Sequence, residues 1–303
     1  MLKLVRSIFF GNYFIGVIAI ALSVESCVQL RLPLNSIAYY TILFSVTVFY
    51  YTYAYLGPLN IGKTMNPRKK WYVSNRRFII WSQRILFLVA TVLGAFFIAG
   101  HFMAIAKLPF RYWLMITGML FAGLLYYGLL PKSFYKINLR NTGWLKAFVI
   151  GFVWACCANL MSFIVVQIEN GPHTAETILL VWLFIKNWMF CTVNAIIFDI
   201  KDYADDSNKQ LKTFAVTYGV RKTVFFVLLP MITIGLISLI AFTTSRNAGF
   251  VTTSLNLIPF ILLLMVAWSM QKPHKILYYL VVIDGLIFLK ALCGIAGMHF
   301  IKS

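Results

Sequence analysis

Half of the chain's eight carboxylates fall within eight residues, Asp199-Ile-Lys-Asp202-Tyr-Ala-Asp205-Asp206; the others are Glu25, Glu169, Glu176 and Asp284. On a helix Asp199, Asp202 and Asp206, at i, i+3 and i+7, share one face while Asp205 points elsewhere. Three carboxylates on one stripe repel each other, and a hard divalent cation removes that repulsion. Mg²⁺ in particular takes one or two carboxylates together with substrate phosphate oxygens. The spacing therefore points to a metal and diphosphate site. The bland alternative is an acidic helix end solvated by water and neutralised by Lys201, Lys209 and Lys212. Against it, a chain with so few acids has little reason to place four together for solubility alone.

The elements that must carry this cluster are read from composition. Of 303 residues 61% are apolar and 12% charged, with a mean hydropathy of +0.83. That excludes a soluble globular domain and disorder alike, because too few polar groups exist to cover the apolar surface. The fold class expected is an all-α polytopic membrane protein, one transmembrane domain over residues 1–303. Apolar stretches near 8–24, 37–57, 79–100, 110–130, 144–167, 177–198, 224–243, 255–270 and 277–300 predict nine transmembrane helices. Pro33, Pro58, Pro67, Pro109, Pro131, Pro172 and Pro273 punctuate the breaks, while Pro230 and Pro259 fall inside spans and predict kinks.

The net charge of +19 is distributed unevenly along this pattern. Nineteen Lys and Arg fall on the side of the N-terminus and five on the other, which predicts a cytoplasmic N-terminus and no nucleic-acid partner. The acidic cluster then lies where the sixth span meets the cytoplasm, and loops 58–78 and 199–223 flank it. The first span is too long for a signal-peptide core and reads as a retained anchor. The expected location is a multi-pass position in the cell (inner) membrane, with the site facing the cytoplasm. Cys27, Cys156, Cys157, Cys191 and Cys293 form no CxxC and read as packing residues. His101 and His299 have no partner at zinc-ligand spacing.

Arg84, Lys186, Lys290 and Asp284 lie within spans, where each charge needs a partner, water or a route to the surface. Asp284 and Lys290 are six apart and poorly aligned on one helix, so each is expected to meet another helix. Asn187 and Asn194 share a face of the sixth span; Asn187 reads as interhelical glue, and Asn194, nearer the acids, as glue or pocket lining.

From Asn194 through Asp199, Asp202 and Asp206 to Lys212-Thr213-Phe-Ala-Val-Thr-Tyr-Gly219, the chain resembles the UbiA-type intramembrane prenyltransferases. Their second aspartate motif, DxxDxxxD, ends the sixth helix and is followed by a GxxT-like stretch and a closing glycine. All three aspartates, Thr213 and Gly219 match, whereas the glycine expected ahead of Lys212-Thr213 is replaced by Gln210. The family's first motif, resembling NDxxDxxxD at the end of the second helix, is missing: that place reads Tyr50-Tyr-Thr-Tyr-Ala-Tyr-Leu-Gly-Pro-Leu-Asn60. No carboxylate occurs between Glu25 and Glu169. A YxxxK-like pair after the fourth helix is likewise absent at its spacing, leaving Arg140 first and Lys132 second as candidate bases there.

The resemblance implies transfer of an isoprenoid group from a polyprenyl diphosphate to an unidentified acceptor inside a membrane lipid environment. It implies Mg²⁺ on Asp199 and Asp202 with Asp206 assisting, and Lys63, Arg68, Lys132, Arg140 and Lys212 on the diphosphate. Asn194 and Tyr53 would line the pocket, and no protein nucleophile is implied. Fixed cations can neutralise a diphosphate as metal ions do, so the lost motif is chemically replaceable. The alternative is a non-catalytic relative that binds a lipid or a partner, and a transporter using Lys186, Asp284 and Lys290 is a distant third.

Overall fold

The computed structural model describes residues 2–53, 55, 67–127, 143–208 and 210–299. Among them every regular element is a helix. In chain order these are α1 (Leu2–Phe10), α2 (Tyr13–Gln29), α3 (Ile37–Tyr53), α4 (Pro67–Ser74), α5 (Arg76–Gly100), α6 (Phe102–Ala106) and α7 (Phe110–Tyr127). There follow α8 (Leu145–Asn170), α9 (Thr177–Lys201), α10 (Tyr203–Asn208), α11 (Phe214–Tyr218), α12 (Val220–Ser245), α13 (Phe250–Ser269) and α14 (Ile276–His299).

Six of these helices, α5, α8, α9, α12, α13 and α14, are long and apolar enough to cross a bilayer. A seventh span results if α1 and α2, bent by 60° at their junction, count as one. The expected spans near 37–57 and 110–130 correspond to α3, with 17 residues, and α7, with 18; both run up to residues outside the description. The α1–α2 bend was not anticipated. Asn12 adopts a left-handed backbone there (φ 64°), and its amide donates to Thr52 Oγ1 at 3.1 Å and Tyr72 at 3.3 Å.

α9 is the buried axis of the bundle, with Leu183, Phe190, Val193, Ile196 and Ile197 fully enclosed. It packs against α8, α12 and α14, while α14 also packs on α2 and α13. α8 and α9 approach closely. A side chain at Gly151 would stand 2.2 Å from Thr192 Oγ1 and 2.8 Å from the Trp188 carbonyl, so only glycine lets these backbones meet. The two helices are antiparallel, and this contact sets their register: the start of α8 faces the end of α9.

Three of the spans contain a π-helical turn: Cys156–Met161 in α8, Val224–Leu228 in α12 and Tyr279–Ile283 in α14. The turn in α12 runs straight into Pro230, which lacks the N–H of a regular helix.

Three intramembrane charges gather in one place. Glu25 of α2 is wholly buried, with Lys290 of α14 at 2.6 Å and Lys186 of α9 at 3.4 Å. Gln29 donates to Glu25 at 3.1 Å and accepts from Lys186 at 3.3 Å. Lys290 also donates to Asn187, which donates to Asn159 of α8 at 3.2 Å; Ser26 donates to the same Asn159 oxygen. Lys290 and Asn187 therefore meet other helices as expected. Gly294 leaves the room Glu25 occupies, since a side chain there would stand 2.4 Å from its carboxylate.

Candidate functional site

The α8–α9 register determines what the acidic cluster meets. Five residues before Gly151 stands Lys146, and seven after Thr192 stands Asp199. They meet: Lys146 Nζ lies 2.6 Å from Asp199 Oδ1 and 3.5 Å from Asp206 Oδ2. Asp199 and Asp206 are buried, at 1% and 6% exposure, and Lys146 is largely so. The second oxygen of Asp199 has no hydrogen-bond partner. Asp202, half-exposed as the residue that caps α9, is turned toward Lys201 at 2.6 Å.

The stripe of three acids is thus split. Asp199 and Asp206 face the bundle and share one ammonium, while Asp202 faces outward. Among the described residues no group of three or more Asp, Glu, His and Cys side chains is assembled as a metal cage. What a cation could use is the free, buried Asp199 Oδ2 with the neighbouring Asp202 carboxylate, three residues on. Mg²⁺ commonly takes one or two carboxylates and fills its other positions with phosphate oxygens or water.

The loop after the acids is fastened to the start of α8. Gly143 has a left-handed backbone (φ +68°), and a side chain there would lie 2.2 Å from the Lys212 carbonyl oxygen. Thr213, fully buried, caps α11 by accepting from the Val216 N–H at 3.3 Å. Phe214 packs between Trp144 and Phe148. Gln210 adopts φ 55°, so the position where the family resemblance expects glycine has the backbone that favours one. Gly219 ends α11 at φ +81°.

The remaining expected site residues are dispersed. Lys212 is exposed beside Gly143. Asn194 is buried one turn and a half before Asp199; its amide donates to the Phe190 carbonyl at 2.8 Å and its oxygen has no hydrogen-bond partner. Tyr53 ends α3 with 47% exposure. Arg68 is buried and engaged with the α1–α2 bend, donating to the Phe10 carbonyl at 3.2 and 3.1 Å and to Asn12 Oδ1, with its guanidinium over the Tyr55 ring. Lys63, Lys132 and Arg140 lie outside the described residues, as do residues 58–66 of loop 58–78.

Lys146 was not singled out by sequence; it reads as one more cation on the basic side. The available signal was position, since a lysine at the first turn of the fifth span faces the last turn of the sixth in any antiparallel hairpin.

No curated protein and no solved structure matches the chain. The model of the UbiA prenyltransferase family matches residues 59–280, close to three quarters of the sequence and including the acids, Lys146 and the Thr213 cap. The chain is an integral membrane protein built of long apolar helices, and it belongs to the UbiA prenyltransferase family.

Proposed function

We propose that the chain is a membrane prenyltransferase that moves an isoprenoid group from a polyprenyl diphosphate to an acceptor within the bilayer. The observation that carries this reading is the buried, unpartnered Asp199 Oδ2 at the end of α9, next to Asp202 in the family's motif spacing. A carboxylate oxygen enclosed without a donor is costly unless something positive completes it. Asp199 and Asp202 would hold one Mg²⁺, with Asp206 acting through Lys146. When bound, the ion supplies positive charge to the departing diphosphate.

The chain's own residues do the rest. Lys63, Arg68, Lys132, Arg140 and Lys212 would supply fixed cations to the diphosphate. The C–O bond breaks with its electron pair on the diphosphate, the acceptor forms the new bond to the allylic carbon, and the acceptor loses a proton. Asn194 and Tyr53 face the allylic end. In this reading the single domain of residues 1–303 spans the membrane nine times, with α3 and α7 among the spans. Its N-terminus and its site face the cytoplasm, where the basic residues concentrate.

A second reading, a non-catalytic member that binds a lipid or a partner, is favoured by the loss of every carboxylate between Glu25 and Glu169. Binding of farnesyl diphosphate to the purified protein, with and without Mg²⁺, separates the first step of the two. Magnesium-dependent binding that is lost in Asp199→Asn/Asp202→Asn supports the prenyltransferase reading. Equal binding in all conditions, or none, overturns it.

A further inference from the structure

Of the six long apolar helices α5 is the least enclosed, with only Ile79 and Gln83 buried. On the face turned away from those two stand Arg77, Trp81 and Arg84, at i, i+4 and i+7, all exposed. Arg84 lies about 12 Å along the axis from the start of the helix. Helix side chains lean toward the N-terminus, and the Arg84 guanidinium lies over the Trp81 ring, 5.3 Å from its centre. Beside this stripe Phe78, Trp81, Ser82, Ile85 and Leu86 line an apolar groove of about 310 Å³. Ser82 has its hydroxyl engaged by Tyr13 at 2.5 Å, so the groove offers hydrocarbon contact and little else.

The two guanidinium groups have no counter-charge from the chain. No ion pair among the described residues involves Arg77 or Arg84, and no carboxylate occurs in sequence between Glu25 and Glu169. A cation on a lipid-facing helix, inside an apolar stretch, is costly unless an anion from outside completes it. The bland alternative is that both arginines snorkel to the surface, as basic residues on this side of a membrane protein commonly do. That accounts for the charges but not for the apolar groove next to them, which shares Trp81 with the cationic stripe.

We propose that this face of α5 is a binding site for an anionic phospholipid. Arg77 and Arg84 hold the phosphate, for which a guanidinium is well shaped, and one acyl chain occupies the groove between Phe78 and Leu86. The site is independent of the acids at the end of α9 and of the prenyltransferase reading.

The test uses the full chain in detergent, with bound lipid followed by native mass spectrometry and phosphatidylglycerol and phosphatidylcholine of identical acyl chains as probes. Arg77→Gln/Arg84→Gln is compared with wild type and with a control of equal charge change, Arg221→Gln/Lys222→Gln, at two exposed positions that begin α12. Wild type is expected to prefer phosphatidylglycerol. The α5 variant is expected to lose about tenfold or more of that affinity and the control about twofold or less, given roughly 1 kcal/mol for each basic residue at an anionic surface. Glycerol 3-phosphate, which has the phosphate without the acyl chains, is expected not to displace the lipid. If the double variant does not fold, Arg84→Gln against Arg221→Gln makes the same comparison.

Equal loss in the α5 variant and the control would reduce the arginines to general surface charge and overturn the proposal. Wild type that binds phosphatidylcholine as tightly as phosphatidylglycerol overturns it as well, as does displacement of the lipid by glycerol 3-phosphate, which would make the ligand a soluble anion.

Discussion

Lys290 Nζ lies 2.6 Å from Glu25 Oε2 in a part of the bundle where neither side chain exceeds 3% exposure. Lys186 approaches the other oxygen of the same carboxylate. One acid thus holds two ammonium groups, one on α9 and one on α14, and the acid itself is on α2. Removing it would leave two like charges facing each other with no counter-charge. Glu25→Gln is expected to destabilise the fold by about 3 kcal/mol or more, the scale for stripping one partner from a buried pair. Glu25→Gln/Lys290→Met should recover part of that loss. Thermal unfolding of wild type, both single variants and the double variant in detergent measures the coupling; a loss in the double variant equal to the sum of the two single losses would show that the charges are independent.

Gly143 combines a left-handed backbone with a carbonyl where its side chain would be. Gly143→Ala is therefore expected to cost about 2 kcal/mol and to loosen the Lys212–Thr213 segment from α8. Limited proteolysis reads the second effect: faster cleavage after Lys212 in the variant than in wild type is the predicted result.

Gln210 is in the opposite situation, a side chain on a backbone that suits glycine. Gln210→Gly should stabilise by up to about 1 kcal/mol, the relief of left-handed strain less the added freedom of the unfolded chain. Gln210→Asn should fall between the two. A midpoint that drops in the glycine variant would mean that the Gln210 side chain makes a contact worth more than the strain.

At the other end of the bundle Arg246 grips Glu176 with a guanidinium fork, one arm at 2.6 Å, and holds the Glu176 carboxyl below the usual glutamate range. A lowered folded-state pKa means that the stabilisation is present above the unfolded value near 4.5 and disappears as pH falls through the folded one. The pair is exposed, so its contribution is small. Arg246→Met is expected to lower the neutral plateau slightly and to leave the acid limit unchanged, which flattens the stability profile below about pH 5, as read by unfolding midpoints across that range.

The parts of the fold that sequence reveals are those written in local periodicity. The helical stripe of Asp199, Asp202 and Asp206 needs only residue spacing, and the apolar runs ending at prolines place α8, α9, α12, α13 and α14 to within a few residues. Partners across helices are another matter. Lys146 and Asp199 are brought together by the absence of a side chain at Gly151, and Glu25 meets residues 161 and 265 positions away. No periodicity encodes such distances. The outward turn of Asp202 has a different reason: α9 ends at Lys201 with Asp202 as its cap, so the stripe drawn on an ideal helix breaks at its second acid.

The π-helical turn at Cys156–Met161 carries one residue more than an α-helical turn would, in the stretch that links Lys146 to the Asn159 network. Deleting a single codon there would restore a regular helix and swing everything upstream by about 100°. Lys146 would leave Asp199 while Asn159 kept its neighbours. Chain length in this segment is therefore a tuning element of its own: a lineage could disconnect the cation from the acids by one in-frame loss, with no change in the identity of any residue at the site.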